Sequence, residues 1–523
     1  MSSRKDGTDW DWLQIIPPEY GRNWPPRFYS GTGFDLKKKE ICFYGEDNMP
    51  KRTKIVATIS SLNCTPEFLG KLYEAGMDVA RLNTAHMSLE EAAKTVSNIR
   101  AVSDKIAIMI DTKGPEVRTA VVEPPLELHS GDRISISGIH DSGLVKVNYD
   151  DFSDFVEPGK RILIDDGELE LMVLAKQNRV LECEALNDGT LKSRKSVNVP
   201  AVALPLPSLS TRDVEFINFA VENELDFIAH SFVRSKEDVL AVRELLNSAN
   251  SKIGIIAKIE NRQGVENLDE IAEAADGIMV ARGDLGVEIP LAEVPEIQKR
   301  MICTCRKYCK PVITATQMLQ SMIEHPRPTR AEVSDVANAV YDGTDAVMLS
   351  GETSAGRYPL EAVKMMANII RQVEAGEQKL FIACGQMCHD DNPVRQDIVR
   401  FMVESQQRLP IKAIIGLTES GKSARIAAAY RGQAPLYFSC HNRTIARQLA
   451  LSYGVYAYYH QYKTIPNEVF KPLITELVAQ GELIPEDQVA CIGTFPPGVD
   501  NSNNFCCISR IRDLIAAGAA MPE

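Results

Sequence analysis

No uninterrupted apolar run in the 523 residues approaches the roughly 20 that a membrane-crossing helix needs, which excludes a helical span. Basic residues are in deficit, 58 Lys and Arg against 71 Asp and Glu. The net charge of −13 argues against a nucleic-acid surface while leaving room for a local basic pocket, so the expected partner is a small molecule. Tryptophan is scarce, and Trp10, Trp12 and Trp24 all lie within residues 1–48. That stretch has no clear period. It also lacks the apolar core of a secretory signal and the acid-poor bias of a transit peptide, so it reads as a poorly ordered extension, or a start read too far upstream, on a cytoplasmic chain. Paired C-x2-C knuckles are missing too, and the twelve cysteines are expected as reduced thiols. Cys303, Cys305 and Cys309 would lie on a helix face, Cys384 and Cys388 in a loop.

What is present is an ordinary globular composition, 44% apolar and 25% charged, at a length that calls for two to four domains. Eight short Val-, Ile- and Met-rich runs read as buried parallel strands: Lys54 to Ser60, Val79 to Asn83, Ile106 to Thr112, Asp226 to Phe232, Gly254 to Glu260, Gly277 to Arg282, Pro311 to Thr316 and Asp345 to Ser350. Most are trailed by an amphipathic helical segment. Eight such units predict an α/β fold built on a (β/α)8 TIM barrel over 49–115 and 208–378. Between the third and fourth strands the helical period vanishes and short alternating runs appear, so 116–207 is expected as an inserted small β-barrel lid domain. Residues 379–523 carry three more strand-like runs, Ile411 to Leu417, Pro435 to Ser439 and Val489 to Thr494, and read as a C-terminal α/β domain with a regulatory or oligomerising role.

Two strand ends hold acids, Glu260 and Asp284, with Lys258 two residues before the first. In such a barrel these groups converge, and two carboxylates with an ammonium suit Mg2+ and a phosphate. The alternative is a buried salt bridge. In the third domain Thr418-Glu-Ser-Gly-Lys-Ser423 precedes a helix and suits an anion, or simply caps that helix.

Met279-Val-Ala-Arg-Gly-Asp-Leu-Gly286, Ile256-Ala-Lys-Ile-Glu-Asn261, Asp111-Thr-Lys-Gly-Pro-Glu-Val-Arg118, Thr314-Ala-Thr-Gln-Met-Leu319, Pro326-Arg-Pro-Thr-Arg-Ala-Glu332 and Met348-Leu-Ser-Gly-Glu-Thr353 carry a resemblance. In their order and spacing the chain resembles the pyruvate kinases from Met49 to about Leu514. The resemblance implies phosphoryl transfer from phosphoenolpyruvate to ADP, giving pyruvate and ATP, in a cytoplasmic homotetramer that binds neither membrane nor nucleic acid. It implies Mg2+ or Mn2+ on Glu260 and Asp284, K+ on Asn83, Asp111 and Thr112, and Lys258, Arg81 and Arg118 on the phosphoryl group. Backbone at Ala281, Gly283 and Asp284 would take the substrate carboxylate, with Gly283 allowing the close approach. Thr316, backed by Ser350 and Glu352, would protonate the enolate. Arg81, Arg118 and His86 would meet the nucleotide, His86 being otherwise a capping or core histidine. Thr418, Ser420, Gly421, Lys422 and Ser423 would hold the phosphate of a sugar-phosphate or AMP effector. A barrel lyase or aldolase would share the metal carboxylates but need no ADP, and a sugar-phosphate sensor would have lost the transfer residues.

Three departures qualify the resemblance. Arg81-Leu-Asn-Thr-Ala-His86 has Ala85 where the family has a serine that ligates K+, Pro205 replaces an acid near the lid hinge, and Phe495 to Asn504 departs from the effector-loop pattern.

Overall fold

The computed structural model describes residues 50–200, 202–376, 391–461, 470–493 and 505–516. The tryptophan-bearing extension, Cys384 and Cys388, and Phe495 to Asn504 lie outside the described residues. Eight strands, Lys54–Ile59, Val79–Asn83, Ala107–Asp111, Phe227–His230, Gly254–Ile259, Gly277–Ala281, Val312–Ala315 and Ala346–Leu349, pair in parallel and close into a barrel, the first against the eighth. Strand alternation sorts their apolar residues into two cores. Val56, Val79, Met109, Ala229, Ile256 and Met279 fill the interior, while Ile55, Ala80, Ile108, Ile228 and Ile255 pack outward under the helices.

The helices start where the chain can satisfy their free N–H groups. Capping boxes open Leu89–Val102 at Ser88 and Glu91, Thr211–Glu222 at Ser210 and Asp213, and Arg330–Asp342 at Thr329 and Glu332. Asp213 does more. Its other oxygen accepts the Lys113 N–H at 3.0 Å, which anchors the chain as it leaves the third strand for the inserted domain. On the returning side Arg234 donates to the carbonyls of Leu204 (3.2 Å) and Leu206 (2.9 Å) and pairs with Asp238, clamping the segment that contains Pro205. Between these anchors lies a sheet-rich domain, one sheet of six strands and a two-stranded ribbon around its own core.

The C-terminal sheet has five strands, in spatial order Val455–Tyr459, Leu436–Cys440, Ile411–Leu417, Gln488–Gly493 and Phe505–Arg510; the last is antiparallel. Two of these, Val455–Tyr459 and Phe505–Arg510, go beyond the three expected. This domain grips the barrel at the N-terminal ends of its strands. Lys54 donates to the Val455 carbonyl at 2.7 Å over the Tyr456 ring, Arg447 pairs with Asp226 at 2.6 Å, and Arg431 pairs with Asp345 at 2.6 Å. The thiol expectation needs one correction. Cys303 and Cys309 each carry a disulfide, while Cys305, between them, is free and buried. Spacing along a helix does not say which thiols are oxidised.

His230 ends the fourth strand with its side chain on the outer parity, and neither ring nitrogen has a hydrogen-bond partner among the described residues. Burial lowers its pKa to about 4, so it stays neutral in the fold while the unfolded chain takes up a proton below about 6.5. Native stability therefore falls as pH drops from 6.5 toward 4, and His230→Leu is expected to flatten that acid limb by about 3 kcal/mol. Urea melts at stepped pH measure it; parallel profiles for the two proteins would count against it.

Candidate active site

The inner parity of the strands runs from apolar to polar at their C-terminal ends. Val56, Val79, Met109, Ala229 and Ile256 are followed two residues on by Thr58, Arg81, Asp111, Ser231 and Lys258, and those five side chains meet. Lys258, only 9% exposed, stands at the centre. Its ammonium is 3.0 Å from Asp111, 2.9 Å from Glu260 and 2.7 Å from the Ser231 hydroxyl. Arg81 pairs with the other Asp111 oxygen at 2.6 Å and donates to Thr58 at 2.8 Å. Glu260 accepts the Phe232 N–H at 2.6 Å, and Phe232 adopts φ +56° to make that bond.

Two cations thus face three carboxylates, counting Asp284. Burial opposes the Lys258 ammonium, but Asp111 and Glu260 outweigh it and hold the pKa above its ordinary value. Burial likewise opposes the Asp111 carboxylate, and Arg81 and Lys258 outweigh it downward. Glu260 and Asp284 go the other way. Burial pushes both above the usual carboxylate range despite Lys258, and Asp284 adds to the rise at Glu260. The Asp284 carboxylate accepts no hydrogen bond among the described residues. The buried-salt-bridge alternative accounts for Lys258 and Asp111 but leaves this pair of acids under-neutralised, a seat for a cation.

Arg282–Glu288 begins as a helix directly at the sixth strand's end. The nearest atoms a Cβ on Gly283 would meet belong to Thr316, at 3.5 Å and beyond, an ordinary contact, so no described neighbour requires the glycine; the space it leaves open faces Thr316. The Thr316 hydroxyl accepts the Gly283 N–H at 2.8 Å and donates to the Ala315 carbonyl at 2.6 Å. Thr316 and Gln317 have φ of +67° and +54°. Arg282 braces that left-handed turn: it donates to the Ala315 and Thr316 carbonyls and is itself forked onto Asp335 at 2.7 and 2.8 Å. Ser350 and Glu352 lie behind, yet Glu352 accepts from the Ser350 and Leu319 backbone N–H groups and the Ser350 hydroxyl has no partner among the described residues.

A cavity of about 580 Å³ separates the inserted domain from the barrel and is lined by Arg118, Lys195, Phe232, Asp284 and Glu288 among others. Arg118 sits on the inserted-domain side, bonded to Glu116 at 2.7 Å and to the Arg194 carbonyl at 2.8 Å, with no hydrogen bond to the Lys258 cluster. His86 is exposed, which removes the core-histidine alternative. Asn83 caps the Ala85 N–H at 3.1 Å, Thr84 spends its hydroxyl on the Asp111 carbonyl, and Thr112 accepts the Ser231 N–H. In the third domain the Thr418 hydroxyl accepts the Gly421 N–H at 2.9 Å, Ser423 is buried, and Lys422 leans on Asp391 at 3.6 Å.

Sequence reasoning missed Ser231, Thr58 and the bracing role of Arg282. The first two were reachable by continuing the inner alternation one step past each apolar residue. The last was not, because Asp335 is distant in sequence.

The family model for the barrel domain of pyruvate kinase matches residues 50–363, and that for the pyruvate kinase alpha/beta domain matches 396–509. Pyruvate kinase from Borreliella burgdorferi is 48% identical over 471 residues, covering 89% of this chain and 98% of that one. The Geobacillus stearothermophilus enzyme is 44% identical over 481 residues, 90% of this chain and 82% of its own. A crystal structure of a pyruvate kinase from Cryptosporidium parvum superposes with a TM-score of 0.83 at 36% identity, covering 88% of this chain and 96% of that one. Matched along both its large domains and across 82–98% of the length of these relatives, the chain belongs to the pyruvate kinase family.

Proposed function

We propose that the Lys258 cluster is where this chain carries out its family's reaction, the transfer of the phosphoryl group of phosphoenolpyruvate to ADP in the last step of glycolysis. The observation that carries the reading is the under-neutralised pair Glu260 and Asp284 beside an ammonium held charged by Asp111. The family is metal-dependent, and the residues fit a hard cation. The donors are oxygens, and among the described residues no third acidic, His or Cys side chain joins them, so substrate oxygens would complete the shell. Glu260 and Asp284 would hold Mg2+ or Mn2+, which when bound neutralises phosphoryl and enolate oxygens.

Lys258 places a fixed positive charge where negative charge grows during transfer, and Arg81, preoriented by Asp111 and Thr58, adds forked donors to the same group. Ala281, Gly283 and Asp284 would turn their backbone and the open space beside Gly283 toward the substrate carboxylate, the Gly283 N–H leaving the Thr316 hydroxyl to do so. Arg118 and His86 take the nucleotide side, and closing the cavity under the inserted domain brings Arg118 in while excluding water. Thr316 faces the enolate and passes a proton through water, because a hydroxyl is a poor acid. Thr316→Val is therefore expected to slow solvent deuterium entry into pyruvate more than it slows phosphoryl transfer. Wild-type exchange and wild-type turnover together would remove Thr316 from the proton path.

K+ belongs to the same reading, with Asn83, Asp111 and Thr112 as its oxygen ligands and Ala85 contributing none. Thr84 is no replacement while its hydroxyl serves the Asp111 carbonyl. Activation by K+ is expected to persist with weakened affinity, and Ala85→Ser is expected to tighten it. Turnover in tetramethylammonium buffer titrated with KCl reads both, and equal rates with and without K+ would overturn the requirement. Thr418 to Ser423 is read as the phosphate seat of a sugar-phosphate or AMP effector, supported by its place before the helix Lys422–Ala429. The family resemblance supports a cytoplasmic homotetramer.

A further inference from the structure

The last two strands of the C-terminal sheet set two thiols opposite each other. Cys491 on Gln488–Gly493 and Cys507 on Phe505–Arg510 are direct antiparallel partners. Directly opposed residues project to one face with Cβ atoms about 4.5–5.5 Å apart. A disulfide needs about 3.5–4.5 Å, a small adjustment for a strand that has one hydrogen-bonded neighbour among the described residues. Cys491 is buried in the core formed with Val489, Leu473 and Ile511, and Cys507 is half-buried above it. Both are free. Cys506 projects to the opposite face with Ile508, so it cannot reach Cys491 without breaking the strand.

We propose that Cys491 and Cys507 form a reversible dithiol–disulfide couple, oxidised by a low-molecular-weight disulfide, that staples the edge strand to its neighbour. The Cys507 thiolate attacks one sulfur of the small disulfide and expels the other half as a thiolate, leaving a mixed disulfide. Cys491, on losing its proton, attacks the Cys507 sulfur and expels the second small thiolate. The two protein thiols give up two protons and two electrons, and the small disulfide is reduced to two thiols. Burial raises the thiol pKa at both positions, so the reaction quickens as pH rises from 7 toward 9. Neither residue belongs to the catalytic cluster, so the couple acts on the sheet edge and not on the chemistry.

Full-length protein is incubated with oxidised glutathione at pH 8.5, its remaining thiols are alkylated, and the chain is cleaved at Asp500, which lies between the two cysteines. The expected result is loss of two thiols and a Cys491–Cys507 linked pair that dithiothreitol reverses. Cys507→Ser abolishes the link, and Cys506→Ser retains it, with pyruvate kinase turnover confirming that each protein is folded. A link through Cys506, a mixed disulfide that persists on Cys507 without transfer to Cys491, or no loss of thiol would each overturn the proposal.

Discussion

Lys258→Met is expected to lower kcat by about 1,000-fold or more, since a single preorganised donor is worth about 100- to 1,000-fold and this one is central to the cluster. A second effect follows from its partners. Removing the ammonium leaves Asp111 with Arg81 but strips Glu260 of its one ion pair among the described residues, in a site where burial already opposes the charge. Breaking a buried pair by deleting one member costs about 3–5 kcal/mol. The variant should therefore be less stable than the native protein, and a divalent cation should restore part of that loss by filling the space beside Glu260 and Asp284. Thermal melts with and without Mg2+, alongside turnover measured on the folded fraction, separate the two effects. Near-normal turnover would remove Lys258 from the chemistry, and a melt indifferent to Mg2+ would remove the cation from these two acids.

Arg431→Met is expected to destabilise the protein by about 3–5 kcal/mol and to split its unfolding in two. The guanidinium is buried against Asp345, with side-chain exposures of 1% and 3%, and also donates to the Gly343 and Ala428 carbonyls. It lies over the Tyr453 ring as well. Because Gly343 and Asp345 belong to the barrel and Arg431 to the C-terminal domain, the loss falls on the contact between them. Calorimetry should then show the C-terminal domain melting apart from the barrel. A single transition at the native temperature would show that the contact contributes little.

Much of this was legible in the sequence because parallel barrel strands are short, wholly apolar and end in polar residues. Gly254–Ile259 and Gly277–Ala281 could be placed to within a residue or two, and with them Lys258, Glu260 and Asp284. Two strands escaped for opposite reasons. Val455–Tyr459 is too polar at its tyrosines to read as buried, and Phe505–Arg510 is an edge strand whose residues are half-exposed on both faces. Partnerships were the least legible layer. That Asp111 would be held by Arg81 and Lys258 together, or that the Ser350 hydroxyl would have no partner among the described residues, depends on how neighbouring strands align. No local pattern encodes that alignment.

The grip of the C-terminal domain falls on Lys54, Asp226 and Asp345, while Thr58, Ser231 and Ser350 lie four to five residues further along the same three strands. At about 3.3 Å per residue the two ends are roughly 13–17 Å apart. Each strand is thus a short, stiff rod held at its base by one domain and carrying the polar groups of the proposed site at its tip. No hydrogen bond among the described residues links the C-terminal domain directly to the Lys258 cluster. Any movement of that domain reaches the Lys258 cluster as a tilt or slide of these rods, a mechanical displacement whose size at the tip is set by the stiffness of the barrel.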